Sequence, residues 1–409
     1  MTVIAALAEA ARMAFIMFWK ILWPLVLGFA LSGFVQGVVS KREMVQLLPD
    51  DSPRSLATAC GLGAASSSCS YAAVALARSV FRKGANFTAA MAFQLASTNL
   101  VAELTIIMVI MLGWQFALAE FLGGPLMVAL MAIVFRLFLP PSLQDSARQQ
   151  AEKGAVGKME GHAAMDMSVT EGPLLSRVFS VKGMTAASHY FVMDWAMVWK
   201  DIVGGVVIAG ALAAWVPRTF WSAFFLSGHP QLAKFWGPVV GPVVAILSFV
   251  CSVGNIPLAT VLWNGGISFG GVIAFIFADL LVLPILNIYR KYYGWRVTAL
   301  IVAAFYASMV AAALAIEFLF QWWGLVPHER GKGIAEEAIK LDYTSILNII
   351  FLVIAALMVW RFFVTGGPDM MREMGQESGH AGRGRQRHGK EGEAGEKRGG
   401  RDHFEKQKK

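Results

Sequence analysis

An all-α polytopic membrane protein, with about nine transmembrane helices forming two four-helix repeats, a broken helix in each, and a further C-terminal helix, is the fold that three observations predict. Of 409 residues, 56% are hydrophobic and 15% charged, and the mean hydropathy of +0.57 lies outside the range of soluble domains. Apolar stretches of about 20 residues recur, each long enough to cross roughly 30 Å of hydrocarbon as a helix. They are continuous rather than alternating, which favours helices over a closed barrel, the other way to satisfy a backbone in lipid. The third observation is an internal repeat.

The opening segment, "MTVIAALAEAARMAFIMFWK", carries Glu9 and Arg12 and lacks a small-residue cleavage site, so it leads into the first span rather than being a removed signal peptide. Hydropathy places spans at about 15–39, 55–80, 87–112, 115–139, 196–216, 238–263, 268–290, 297–323 and 343–364. The chain divides into a first transmembrane repeat (1–139), a polar linker (140–194), a second repeat (195–325), a loop with the last helix (326–365) and a tail (366–409). The tail holds 11 Gly, 11 Lys or Arg and 8 Asp or Glu with almost nothing apolar to bury, the composition of a disordered segment. The net charge of +8 sits in loops and tail without interleaved aromatics, so a membrane-flanking role is expected and a nucleic-acid partner is not. Cys60, Cys69 and Cys251 all lie in or beside apolar segments, unlike a disulfide framework.

The repeat is read by setting "CSYAAVALARSVFRKGANFTAAMAFQLA" (69–96) over "CSVGNIPLATVLWNGGISFGGVIAFIFA" (251–278), which needs no gap and gives nine identities in 28 positions. Cys69-Ser70 falls on Cys251-Ser252 and Gly84 on Gly266, while Trp19-Lys20 matches Trp199-Lys200 upstream. With four spans between equivalent helices, the two repeats are expected to share one orientation, related by an axis along the membrane normal. Positive-inside bias at Arg78, Arg82 and Lys83 then puts the linker inside and the basic tail outside. A re-entrant segment, or a dip of 219–237 into the membrane, would return both to one side.

Irregular backbone persists at membrane depth only where it lines an enclosed cavity or pathway. "GLGAASSSCS" (61–70) reads as such a break: Gly61 and Gly63 weaken the helix, while Ser66, Ser67, Ser68 and Ser70 can bond freed backbone groups or a ligand. In its repeat partner "CSVGNIPLA" (251–259), Asn255 is expected to cap a new half-helix with Pro257 in the first turn. Breaks at corresponding places in two halves point to a transporter's midplane site, with close-packing small residues as the plain alternative.

On these paired "CS…PLA…G…AF" elements, and above all "SFVCSVGNIPLATVLWNGGISFGGVIAFIFADLLVLPILNIYRKYYG" (248–294), the chain resembles the YraQ-like predicted permeases, which include the ArsP-type organoarsenical efflux permeases. The resemblance spans roughly residues 15–325 and implies a polytopic inner-membrane permease, in some members exporting trivalent organoarsenicals with cysteine holding the arsenic. Ser67 stands where many relatives carry a second cysteine.

The candidate substrate-binding residues are therefore Ser66, Ser67, Ser68, Cys69, Ser70, Asn99, Cys251 and Asn255. Cys69 and Cys251 would meet as a soft thiolate pair, against the reading of buried cysteine as a small hydrophobe. Cys60 is read as packing. Asn99 and Glu103 share a helix face at i,i+4, and Asp279 interrupts "FIFADLLVLPIL". A carboxylate at the centre of a span costs roughly 2.5–3.5 kcal/mol on insertion scales, which makes Asp279 and Glu103 candidates for proton coupling or cation binding, with ion pairing to Lys20 or Lys200 as the rival. His162, Met165, Asp166 and Met167 lack metal-ligand spacing. No phosphate-binding loop motif occurs, no cofactor is expected, and the partners implied are membrane lipid, a small-molecule or metalloid substrate, and a further copy or accessory subunit. A secondary-type efflux permease is the leading reading. An intramembrane enzyme, for which His189 is the tempting base, and a membrane subunit of a larger complex are the rivals.

Overall fold

A computed structural model describes residues 3–38, 45–66, 70–153, 167, 169, 174–248, 252–327, 330 and 343–371. Helix α1 (Val3–Val38) is followed by two half-length helices, α2 (Pro53–Ser66) and α3 (Ser70–Arg82), then by α4 (Phe87–Asn99) and α5 (Ala102–Met111), and by α6 (Trp114–Phe138). After α7 (Pro141–Lys153) and α8 (Leu174–Phe179), the series recurs as α9 (Val181–Trp215), the short α10 (Arg218–Phe224), α11 (Pro230–Ser248), α12 (Ser252–Gly265), α13 (Phe269–Phe277), a 3-10 turn Ala278–Leu280, α14 (Leu283–Tyr293) and α15 (Trp295–Trp323). Helix α16 (Tyr343–Val364) closes the described chain but for a few residues. The fifth span thus starts at Val181, inside the stretch read as linker, and 219–237 forms α10 and the start of α11.

Local chemistry repeats with the sequence. Gly84 (φ +118°) and Gly266 (φ +116°), 182 residues apart, turn the chain after α3 and α12 with a backbone that L side chains rarely adopt. Two residues on, Asn86 accepts the Thr88 and Ala89 amides at the start of α4, and Ser268 accepts the Gly271 amide at the start of α13. Beyond a Cβ at Gly84 the nearest atom is Val45 Cγ1 at 4.0 Å, whereas one at Gly266 would stand 2.2 Å from Ser227 Oγ. Gly84→Ala should therefore cost only backbone strain, about 1–3 kcal/mol, and Gly266→Ala distinctly more. Thermal melting of the purified variants checks the order.

Direction of travel decides the topology. Leu48 O accepts the Asn86 amide at the start of α4, and Gly63, late in α2, abuts Phe93 O and Ala96 late in α4, so α2 and α4 run the same way. In the second half Gly237 abuts Ser268 and Gly241 abuts Gly271 O and the Phe275 amide, so α11 and α13 also run the same way. Since the Gly84 and Gly266 turns reverse α3 into α4 and α12 into α13, α2 and α3 must run oppositely, as must α11 and α12. The stretches 55–80 and 238–263 are therefore not crossings but re-entrant hairpins, α2 paired with α3 and α11 with α12. The 14-residue α2 and 13-residue α3 reach only roughly 20 Å each, short of the hydrocarbon thickness.

Six described helices are long and apolar enough to cross a membrane, and two further crossings form from α4 with α5, bent by 41°, and α13 with α14, bent by 45°. With α11 assigned to a hairpin, seven crossings result: α1, α4–α5, α6, α9, α13–α14, α15 and α16. Each repeat contains three, an odd number, so the two repeats are inverted. The contacts agree: Gly33 abuts Ala187 O, Gly210 abuts Ala10 O and Ala14, and Trp215 Nε1 donates to Ala6 O at 3.0 Å, so the equivalent helices α1 and α9 are antiparallel. The expected shared orientation is thereby corrected, because hydropathy registers the length of an apolar run and not whether it doubles back. The correction returns linker and tail to one face, the face of Gly84.

Helix α16 runs beside α1 through an inserted side chain. Asn348, fully buried, accepts the Trp23 amide at 2.9 Å and donates to Trp19 O at 2.8 Å, occupying both ends of one rung of the α1 ladder next to Pro24. At the Gly84 face α7 packs on α3 and α14. The buried Arg78 guanidinium donates to Ala151 O at 2.6 Å and lies 4.1 Å over the Tyr292 ring, while Arg148 donates to Ala85 O at 3.1 Å.

Candidate functional site

The two hairpins bring their openings together on one carboxylate. Ser70 begins α3, Ser252 begins α12, and their hydroxyl oxygens lie 2.7 Å apart. Both donate to Oδ2 of Asp279, Ser70 at 2.9 Å, and all three side chains are buried. Asp279 sits in the 3-10 turn where α13 gives way to α14, with the Thr98 hydroxyl and Leu280 amide beside it. Two helix N-termini, each a positive dipole end, thus meet at an acidic side chain. Oδ1 completes no hydrogen bond.

Other predicted residues fall at different distances from this junction. Asn255 is fully buried with both amide atoms unpartnered. It lies within α12 rather than capping it, because the helix already starts at Ser252 and Pro257 removes only the rung to the Val253 carbonyl. Asn99 ends α4 at the bend, its Nδ2 donating to Leu95 O at 3.1 Å while Oδ1 is buried and unpartnered. The Ser66 hydroxyl turns back to Gly63 O at 2.9 Å, and its carbonyl accepts from Ser32 at 2.7 Å. Glu103 is not brought to Asp279: it packs on α1, where a Cβ at Gly28 would stand 2.5 Å from its side-chain carbons. Ser67, Ser68, Cys69 and Cys251 lie outside the described residues, as do His162, Met165 and Asp166. Cys60 is half-buried in a groove of about 480 Å³ between α2 and α6. His189, on α9, meets Thr365, just past the end of α16, at 2.7 Å.

Three features escaped the sequence reading. Glu120, on α6, is fully buried with neither oxygen hydrogen-bonded. It is the lone acid of the span 115–139, so the criterion that selected Asp279 would have selected it too. Ser32 and Gln36 on α1 meet Asp194 on α9, the Gln36 amide donating to Asp194 Oδ2 at 3.2 Å, and so tie the α1/α9 pair to the end of α2. Gln94 on α4 donates to the Tyr289 hydroxyl on α14. No local pattern announces these last two, which join residues far apart in sequence.

Comparison with known proteins gives consistent matches. A family described as predicted permease, ArsP_1, matches residues 6–318. A Mycobacterium tuberculosis protein named "Putative permease Rv2963" is 59% identical over 339 residues, covering 83% of this chain and 84% of that protein. No solved structure matches the chain.

Proposed function

Since the chain belongs to the ArsP_1 family of predicted permeases, we propose that it is a secondary-type permease moving a small solute by alternating access around its two hairpins. The observation that supports this most is the junction of Ser70, Ser252 and Asp279, where two equivalent helix openings converge on a buried charge. A solute at this depth could exchange for the hydrogen bonds that the Ser70 and Ser252 hydroxyls now make to Asp279.

The repeats also differ in how they pack. At the Gly266 face α12 lies against α9 and α5 against α1, but the equivalent pairings at the Gly84 face, α3 on α1 and α14 on α9, are at most marginal among the described residues. Inverted repeats can exchange these packings, and the exchange yields a second state open to the other side. Lys83, Arg136, Lys182, Arg290, Lys291, Arg296 and Arg361 flank the crossings at the Gly84 face, against Arg12, Arg218, Lys234 and Arg330 at the other, so we assign the Gly84 face to the cytoplasm and this conformation to the inward-open state.

The cargo we assign is a soft metalloid species such as a trivalent organoarsenical, carried outwards across the inner membrane. Cys69 and Cys251 immediately precede Ser70 and Ser252 in the sequence, and thiolates suit a soft centre. Purified protein in proteoliposomes, offered trivalent organoarsenicals, arsenite and soft divalent metals in turn, tests the reading. Accumulation by the protein alone supports it, chemical conversion of the compound indicates an enzyme, and neither outcome indicates a subunit of a larger complex. Cys69→Ser and Cys251→Ser should each abolish organoarsenical resistance in a sensitive host at unchanged membrane abundance, whereas Cys60→Ser should do little. Full resistance in the double variant would remove the thiols from the mechanism.

A further inference from the structure

We propose that Glu120 is the second half of the coupling site: with Asp279 it forms a carboxyl pair holding one proton, which Glu120 carries while Ser70 and Ser252 donate to Asp279. The role in coupling rests on the permease reading, but the existence of the proton-holding pair does not.

Glu120 faces the bends. Gly123 and Gly124, three and four residues further along α6, share its stripe. A Cβ on Gly123 would stand 2.9 Å from Phe277 Cζ, and one on Gly124 would stand 2.5 Å from Leu100 Cδ2, so this stripe is pressed against both helix interruptions. Asp279 lies two residues beyond Phe277. The other acids on neighbouring elements are engaged elsewhere: Glu103 packs on Gly28, and Glu317 accepts the Gly270 amide and the Gln321 side chain. Tyr289, on α14, receives the Gln94 amide.

The two carboxyls have opposite surroundings. Glu120 has no hydrogen-bond partner at either oxygen, and an ionised carboxylate in a dry interior without donors costs several kcal/mol more than the neutral acid. Asp279 has two hydroxyl donors and two helix N-termini to hold a negative charge. The proton therefore belongs on Glu120 in this state. Cargo that takes up the Ser70 and Ser252 hydroxyls strips Asp279 of its donors. Neither Glu120 oxygen is hydrogen-bonded to Asp279 Oδ1 in this state, so the proton crosses through water admitted with the cargo: the Glu120 O–H bond breaks, an O–H bond forms at Asp279 Oδ1, and the negative charge passes to Glu120. Nothing is oxidised or reduced, and the pair keeps one proton and one charge throughout.

Infrared spectroscopy of the purified full-length protein in lipid at neutral pH tests the pair without any cargo. A protonated-carboxyl C=O band is expected in the wild type, absent in Glu120→Gln and retained, with a shifted frequency, in Asp279→Asn. A wild type without the band, or a band untouched by Glu120→Gln, would overturn the proposal, as would a band abolished by sodium, which would assign the site to a metal cation. Should Glu120→Gln fail to fold, Glu120→Asp must shift the band, and an unshifted band sinks the idea equally. Because no transport is measured, a negative result leaves the permease reading intact.

Discussion

Asp279→Asn should eliminate gradient-driven transport while leaving the protein folded and cargo binding measurable. The side chain accepts two hydroxyl hydrogen bonds on one oxygen at a fully buried position. Asparagine keeps the shape, and its oxygen can accept the same two hydroxyls, but it can neither take up a proton nor carry a charge, and even a hydrogen-bonded buried charge carries a desolvation cost that a neutral amide does not. The variant should accordingly melt at or above the wild-type temperature, separating function from folding. Uptake of the cargo identified by reconstitution into inverted vesicles, with and without an imposed pH gradient, is the measurement. Wild-type uptake indifferent to the gradient and to a protonophore would exclude proton coupling, and undiminished uptake by Asp279→Asn would leave the aspartate only a structural part. Glu103→Gln should give a weaker defect, since Glu103 lies in the seam between α5 and α1 and not at the junction.

Ser70→Ala and Ser252→Ala should impair transport to similar extents, because each removes one of two equivalent donors from the same oxygen. A hydrogen bond to a charged group contributes about 1.5–3 kcal/mol, so each substitution should lower kcat/KM for cargo uptake by roughly 10- to 100-fold. Their hydroxyls are 2.7 Å apart, so the double variant should fall short of the product of the two losses. Strict multiplicativity, or one silent serine, would show that the two openings do not act as a unit.

The gapless match of 69–96 with 251–278 foretold that Ser70 and Ser252 are equivalent, and the expense of a carboxylate in "FIFADLLVLPIL" singled out Asp279. That the three touch was not legible, since it depends on α2 and α11 reversing direction inside the membrane. An apolar run of hairpin length and one of crossing length look alike to a hydropathy window, and the distinction rests on tertiary contacts such as Gly241 against Gly271. Glu120 was legible by the same rule as Asp279. Asn255 was assigned the duty of a cap, but the helix already starts three residues earlier, at Ser252.

The inverted arrangement has a genetic corollary. A half-length ancestor with three crossings and one hairpin, inserting in either direction, could pair with itself and set two such serines face to face. A symmetric dimer of that kind can carry a given acid twice or not at all. In the present chain the position matching Asp279 at the 182-residue offset is Ser97, a buried hydroxyl that bonds Gln94 O at 2.9 Å. Joining both copies in one polypeptide is what permits a solitary carboxylate on a pseudo-dyad: duplication supplies the matched pair of donors, and divergence of one copy supplies the single charge between them.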